Sequence, residues 1–232
     1  MEQFEGQRAV VEGEKAHHLG RVLRAQVGQL YELSDGARVH LGRVENVARD
    51  RVEFALVEEL PATEATLRVT LLLSVVKFDS FEWAIEKATE LGVNSIVPLA
   101  AARSEKALLA AAEKRSERWR KIILEAAQQS RRVRVPDLQP LARPESAFSS
   151  RSDELAIFLS ERADAPLLRQ ALDNASASAV ILAIGPEGGW TDQECELAGS
   201  GGFHEASLGR LILRAETAVI VALASVSYAL GV

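Results

Sequence analysis

Cysteine is almost missing from this chain of 232 residues. The single residue, Cys195, excludes an intrachain disulfide, which fits a reducing compartment. The usual nucleotide-phosphate signatures are missing too. Neither G-x-G-x-x-G nor G-x-x-x-x-G-K-[ST] occurs, so neither phosphate loop is supported. No basic segment followed by an apolar one opens the chain, as a secretory signal would require. No apolar run reaches the roughly 20 residues of a membrane span. The C-terminal run from Ala218 is shorter and rich in Ala and Ser, and it reads as a buried or interface helix. Together these absences point to a cytoplasmic protein with no membrane partner. The adjacent His17 and His18 have no cysteine or acidic cluster to complete a metal site, and helix neighbours point about 100° apart. No metal is expected.

Composition is ordinary for a globular chain, with 47% hydrophobic and 26% charged residues. A net charge of -6 argues mildly against nucleic acid. The distribution argues the other way. Residues 103–134 carry ten basic side chains (Arg103, Lys106, Lys114, Arg115, Arg118, Arg120, Lys121, Arg131, Arg132, Arg134) against four acidic ones. Helical pairs such as Glu117–Lys121 absorb part of that excess. They do not absorb Arg131-Arg132-Val133-Arg134.

The last quarter holds the most distinctive stretches. Val180–Ile184 is a short apolar run that ends at Gly185-Pro186-Glu187-Gly188-Gly189, and Thr191, Asp192 and Glu194 follow as a helix start. A second block repeats the plan: Gly209, a strand-like Leu211–Leu213, then a helix opening near Glu216-Thr217. Two adjacent strand–loop–helix units place their loops at the carboxyl edge of a sheet, where α/β proteins bind ligands. The glycines permit close backbone approach, although a tight strand-to-helix connection has the same composition.

Residues 1 to about 60 are patterned differently. Gln29–Leu33, Arg38–Val44 and Arg51–Leu56 read as strands, with a turn at Ser34-Asp35-Gly36, giving a small β-barrel or curled sheet. Lys15–Arg24 reads as one amphipathic helix with Leu19, Val22 and Leu23 facing in and Arg21 and Arg24 facing out. Residues 61–66 read as a linker, so the expected domains are 1–66 and 67–232. Beyond it, strand and helix alternate: Leu67–Val76, Asp79–Leu91, Ile96–Leu99, Leu108–Gln129, Leu155–Leu159, Pro166–Leu172, Val180–Ile184. Such alternation predicts a mainly parallel sheet covered by helices.

Several of these pieces, in this order and spacing, resemble the RsmE-type ribosomal RNA uridine-N3 methyltransferases of the SPOUT superfamily. They are His17-His18-Leu19 with Val22-Leu23-Arg24; Lys77 with Glu82; Lys87-Ala88-Thr89-Glu90-Leu91-Gly92; Ile96-Val97-Pro98-Leu99 with Arg103-Ser104; Gln129-Ser130 with Arg132; Gly185–Gly189 with Glu194; and Leu208-Gly209 followed by Ile212–Ala218. The likeness runs the full length. Two stretches depart from the family pattern. Gln128-Gln129-Ser130-Arg131-Arg132 stands where the family usually has Glu-Gln-Ser-Gly-Arg, and Gly209-Arg210-Leu211 where it usually has Gly-Pro-Arg.

The resemblance implies an α/β fold: a PUA-like RNA-binding β-barrel, then an α/β-knot methyltransferase domain acting as a homodimer. It implies S-adenosyl-L-methionine as methyl donor, and 16S rRNA or the assembled small ribosomal subunit as substrate. The cofactor would lie on Ile184, Gly185, Pro186, Glu187, Gly188, Leu208, Gly209, Leu211, Ile212 and Leu213, with Leu159-Ser160 as a third wall. Arg214 and Arg103 are the candidate catalytic residues. Each could instead hold phosphate, and Arg214 could pair with Glu216. His17, His18, Arg21, Arg24, Arg131, Arg132 and Arg134 are the candidate RNA contacts. N3 lies on the Watson–Crick edge, so the target base must be single-stranded or flipped out. A different SPOUT reaction, such as ribose 2'-O methylation, and a catalytically silent ribosome-assembly factor are the alternative readings.

Overall fold

The computed structural model describes residues 2–61, 67–148, 154–173 and 175–230. The chain divides into two compact units, Met1–Glu64 and Ala65–Val232. Of the linker expected at 61–66, all but Pro61 lies outside the described residues.

The first unit is an antiparallel sheet of β1 (Glu2–Glu5), β2 (Arg8–Glu12), β3 (Leu30–Ser34), β4 (Val39–Val47) and β5 (Arg51–Leu60), in the order β1-β2-β5-β4-β3. The last three strands were expected. The β1–β2 hairpin was not, because its strands are short and its turn rests on Gly6 at φ 59° rather than on a strong turn sequence. Register shifts at Leu41/Gly42 and Val44/Asn46 bend β4. A Cβ on Gly42 would run into the Leu33 side chain, which would have to move. The sheet therefore curls, barrel-like, around Ala9, Val11, Leu33, Val44, Val52 and Phe54.

The segment expected as one helix over Lys15–Arg24 is a correction. A short α1 (Glu14–His17) passes into a π-turn over His18–Val22, closed by Leu23 N–H on His18 O at 3.0 Å. The wider turn shifts which residues share a face. Leu19 still packs on the core, but Val22 and Leu23 are 62% and 52% exposed rather than facing in. His17, His18, Arg21 and Arg24 all lie exposed along this segment.

The second unit is a six-stranded sheet. Its elements run β6 (Arg68–Ser74), α2 (Phe78–Glu90), β7 (Ser95–Leu99), α3 (Lys106–Gln129), β8 (Asp137–Leu138), α4 (Pro144–Ala147), β9 (Glu154–Leu159), α5 (Leu168–Leu172), β10 (Ala179–Ile184), α6 (Asp192–Ser200), β11 (His204–Ala206) and α7 (Ala215–Leu230). The strand order is β11-β9-β10-β6-β7-β8, and every pairing is parallel. All six residues of β10 are buried. Val180, Leu182 and Ile184 join the core shared with α2, α3 and α7, while Ile181 and Ala183 join a second core with Phe148, Ala198 and Phe203. A strand covered on both faces reads as a continuous apolar run, which is how it stood in the sequence.

The strand expected at Leu211–Leu213 does not form. The edge strand is β11, and 207–214 is a loop in which Gly209 adopts φ 123° and Leu211 and Ile212 are 81% and 77% exposed. Ser207 pairs with the β9–α5 connection: its N–H donates to Pro166 O, and its own carbonyl accepts from Leu168 N–H. The chain then turns into α7, which returns to pack against α2, α5 and β10. This doubling back beside an earlier connection, rare in open sheets, occupies the region where the α/β-knot fold was expected.

Candidate active site

The loops that follow β9, β10 and β11 meet at the carboxyl edge of the parallel sheet. They enclose a cavity of ≈ 900 Å³. Every expected cofactor residue lines it: Ile184, Gly185, Pro186, Glu187, Gly188, Leu208, Gly209, Leu211, Ile212 and Leu213. Leu159 and Ser160 form a further wall, and Arg103 and Arg214 border it as well.

The β10–α6 loop is held by three separate braces. Gly189, at φ 68°, closes a turn by donating its N–H to Pro186 O at 2.8 Å. Trp190 folds its indole back beneath Gly185 and donates Nε1–H to Leu159 O at 2.8 Å, tying this loop to the end of β9. A Cβ on Gly185 would stand 3.0 Å from that ring, tighter than ordinary van der Waals contact. Arg103 donates from one guanidinium nitrogen to Gly188 O (2.8 Å) and Trp190 O (3.0 Å). Arg103, expected as a catalytic residue, spends both of these hydrogen bonds on backbone carbonyls.

Glu194 completes the frame. Thr191 and Glu194 form a reciprocal capping box at the start of α6, as the sequence pattern indicates. The carboxylate is only 6% exposed. Its second oxygen accepts the N–H of Ala102 at 2.8 Å, across 92 residues of sequence. The loop after β7 is therefore tied to the loop after β10 twice, by Ala102–Glu194 and by Arg103.

The 207–214 loop is built oppositely. Among the described residues, no backbone N–H from Leu208 to Leu213 has a hydrogen-bond partner. Arg214 stands immediately before α7, its carbonyl accepting Ala218 N–H at 2.9 Å, and its guanidinium has no partner among the described residues. The alternative pairing of Arg214 with Glu216 does not occur; Glu216 accepts from Ser80 Oγ at 3.3 Å instead. Unsatisfied N–H groups beside Leu208, Leu211, Ile212 and Leu213 suit a flat, apolar heterocycle with acceptor edges, such as adenine. Cys195 also borders the cavity. Burial, with Glu205 nearby, pushes its thiol pKa up, and Arg162 opposes that shift.

Several basic residues of 103–134 are committed elsewhere. Arg118 Nε straddles both oxygens of buried Glu82 (2.9 and 2.8 Å), Arg115 adds a third contact at 3.2 Å, and its guanidinium lies 4.6 Å over the Phe78 ring. The helical pair that forms is Lys121–Glu125 rather than Glu117–Lys121. Arg132, expected to contact RNA, is half-buried and donates to Thr89 O and Val93 O at 2.8 and 2.6 Å, closing the end of α2. Lys106, Lys114, Arg120 and Arg131 remain exposed with no ion pair to another described residue. Among the described residues, no group of three or more His, Cys, Asp or Glu could hold a metal ion. Sequence reasoning missed Trp190; an indole directly after a double glycine is the signal that could have revealed it.

Fold and site together define an α/β protein with a ligand cavity at the carboxyl edge of a parallel sheet, and the family match places it among RNA methyltransferases. The family described as RNA methyltransferase domain matches residues 63–227. The chain is 37% identical to ribosomal RNA small subunit methyltransferase E of Synechocystis sp., over 91% of this chain and 70% of that one. It is 32% identical to the Bacillus subtilis enzyme of the same name, over 94% and 89%. Among solved structures, it resembles ribosomal RNA small subunit methyltransferase E from Neisseria gonorrhoeae bound to S-adenosyl methionine, with TM-score 0.86, 31% identity, and 97% and 93% of the two chains covered. A methyltransferase from Legionella pneumophila with bound cofactor SAM gives TM-score 0.84 and 30% identity, covering 99% and 95%. The chain belongs to the ribosomal RNA small subunit methyltransferase E family.

Proposed function

We propose that this protein transfers a methyl group from S-adenosylmethionine to N3 of a uridine in small-subunit (16S) ribosomal RNA. The observation that carries the reading is the cavity itself. It joins a braced glycine loop to a row of N–H groups with no partner among the described residues, and the solved relatives of the same fold bind S-adenosylmethionine. The residues present fit that cofactor. Ile184–Gly188 would hold its polar portion, and Leu208–Leu213 would grip the adenine between apolar side chains and backbone donors. When bound, it supplies an electrophilic methyl group on a sulfonium.

Removing the weakly acidic N3 proton of uracil puts negative charge on N3 and the two ring carbonyls until N3 takes the methyl group. A pre-oriented cation stabilises that charge most when water is excluded. Arg214 suits that role, since it borders the cavity and no described residue neutralises it. Arg103 contributes indirectly, by fixing the carbonyls of Gly188 and Trp190. RNA would be held mainly through phosphates, by His17, His18, Arg21 and Arg24 on the first unit and by Arg131 and Arg134 on the second.

A second copy of the chain is the expected partner. Thr217, Val221, Ala224 and Tyr228 form an exposed stripe along α7, with Tyr228 92% exposed. Spacings of four, three and four residues keep them on one face, as a helix–helix contact requires. Among the described residues, no helix is long and apolar enough to cross a membrane. The cytoplasm is where such an RNA substrate would be met.

The test is incubation with labelled S-adenosylmethionine and unmethylated small ribosomal subunits, then digestion and mass spectrometry of nucleosides. Label in 3-methyluridine is the expected result. Label in a 2'-O-methyl nucleoside, or none despite cofactor binding, would overturn the assignment.

A further inference from the structure

The charges around the cavity do not match what the methyl donor alone requires. Five basic side chains line it (Lys77, Arg103, Arg162, Arg210 and Arg214) against three acidic ones, Glu161, Glu187 and Asp192. Two of the five are occupied. Arg103 bonds backbone carbonyls, and Arg162 lies 3.5 Å from Asp164 and 3.9 Å from Glu205. Lys77, Arg210 and Arg214 remain. All three are exposed, and none has an ion pair or hydrogen-bonded side-chain partner among the described residues. Lys77 comes from the start of α2 and the two arginines from the 207–214 loop, so separate elements bring these cations to one cavity.

A sulfonium cofactor does not explain them. Its reacting centre is a cation, and its one carboxylate is balanced by its own ammonium group. Lys77, Arg210 and Arg214 form no ion pair with Glu161, Glu187 or Asp192, and they repel one another and the sulfonium, at a cost that rises as water is excluded. They are accounted for by an anion that arrives from outside, and the anion accompanying a nucleoside base is its flanking phosphate. We infer that Lys77 and Arg210, beside Arg214, form a phosphate subsite at the cavity mouth, which takes the phosphodiester next to the nucleotide being methylated. The inference rests on the RNA methyltransferase reading and adds to it the contact that seats the backbone. Seating that phosphate would turn the adjacent base inward, and it would bring the negative charge that lets Arg214 stand near a sulfonium. Arginine can grip such a group with two donors, whereas lysine acts as a point charge.

Two arms test it, with the full-length protein carrying S-adenosylhomocysteine in the first and S-adenosylmethionine in the second. In the first, uridine 3',5'-bisphosphate and uridine are titrated by calorimetry into wild type, Lys77→Ala, Arg210→Ala and the double variant. Wild type should prefer the bisphosphate at least tenfold, and the double variant should lose that preference. In the second, KM and kcat for small ribosomal subunits are measured between about 50 and 200 mM salt. Each alanine should raise KM more than it lowers kcat, and should flatten the log–log salt dependence by about 0.7 to 0.9 per cation removed. Lys77→Arg and Arg210→Lys should restore most of the loss. S-adenosylmethionine affinity should stay within about twofold of wild type, since these side chains are assigned to phosphate.

An unchanged bisphosphate preference in the double variant would overturn the subsite. So would a loss of cofactor affinity, which would assign the cations to the methionine carboxylate, or a charge-reversed Arg210→Glu that leaves KM and the salt slope alone. If wild type labels no ribosomal RNA, the functional reading fails by itself, and the bisphosphate arm still decides the subsite.

Discussion

Two loops face each other across the cavity, and they are made in opposite ways. Residues 185–190 are held by the Pro186–Gly189 turn, the Trp190 bond to Leu159, and the two carbonyls gripped by Arg103. Residues 208–213 have no backbone N–H partner among the described residues and expose Leu211 and Ile212 to solvent. A rigid wall lowers the ordering cost of binding. An unsatisfied wall keeps its donors for the ligand. Together they explain how one edge can hold a cofactor firmly and still admit a large substrate.

Perturbing the braces should cost much more than perturbing the open loop. Glu194→Ala removes a buried acceptor of Ala102 N–H, Thr191 N–H and the Thr191 hydroxyl. It should destabilise the protein by about 2–4 kcal/mol, read as a lower urea midpoint. Gly185→Ala places a methyl group 3.0 Å from the Trp190 ring and presses on the indole that is hydrogen-bonded to Leu159 O. Cofactor affinity should fall about 30-fold by calorimetry, the equivalent of about 2 kcal/mol of overpacking. Arg103→Ala should weaken cofactor binding about tenfold, with Arg103→Lys intermediate because one amine can still reach a carbonyl. Leu211→Ser should leave stability within about 0.5 kcal/mol, since the side chain is 81% exposed. A drop at Leu211 as large as at Glu194 would break the contrast.

Much of this edge could be read from the chain. The fully buried β10, the glycine break and the Thr191–Glu194 cap are local patterns, and local patterns survive in sequence. What could not be read are contacts across distance. Nothing near Arg103 announces that it serves carbonyls 85 and 87 residues away. Nothing near Arg132 shows that it is spent on α2 rather than turned outward. Leu211–Leu213 looked like a strand because three apolar residues carry the same signal whether a sheet or a ligand cavity receives them. His18–Val22 differs for another reason: its sequence pattern fits a face at 3.6 residues per turn, and the backbone makes a wider turn.

Arg131 joins the two levels. It holds φ 56° at the end of α3, where Arg132 N–H bonds Ala127 O and Arg131 N–H bonds Gln128 O. That closure favours glycine, the residue the family pattern usually has there. The departure visible in the sequence is thus a basic side chain placed on a strained turn, exposed and without an ion pair among the described residues.

Amide hydrogen exchange across 208–213, in free protein and in protein loaded with S-adenosylhomocysteine, tests most directly whether the open wall supplies the cofactor's donors. These amides should exchange freely without ligand and slow at least about tenfold when loaded, while the interior amides of α6 stay unchanged. Protection already present in the free protein, or no change on loading, would contradict the account.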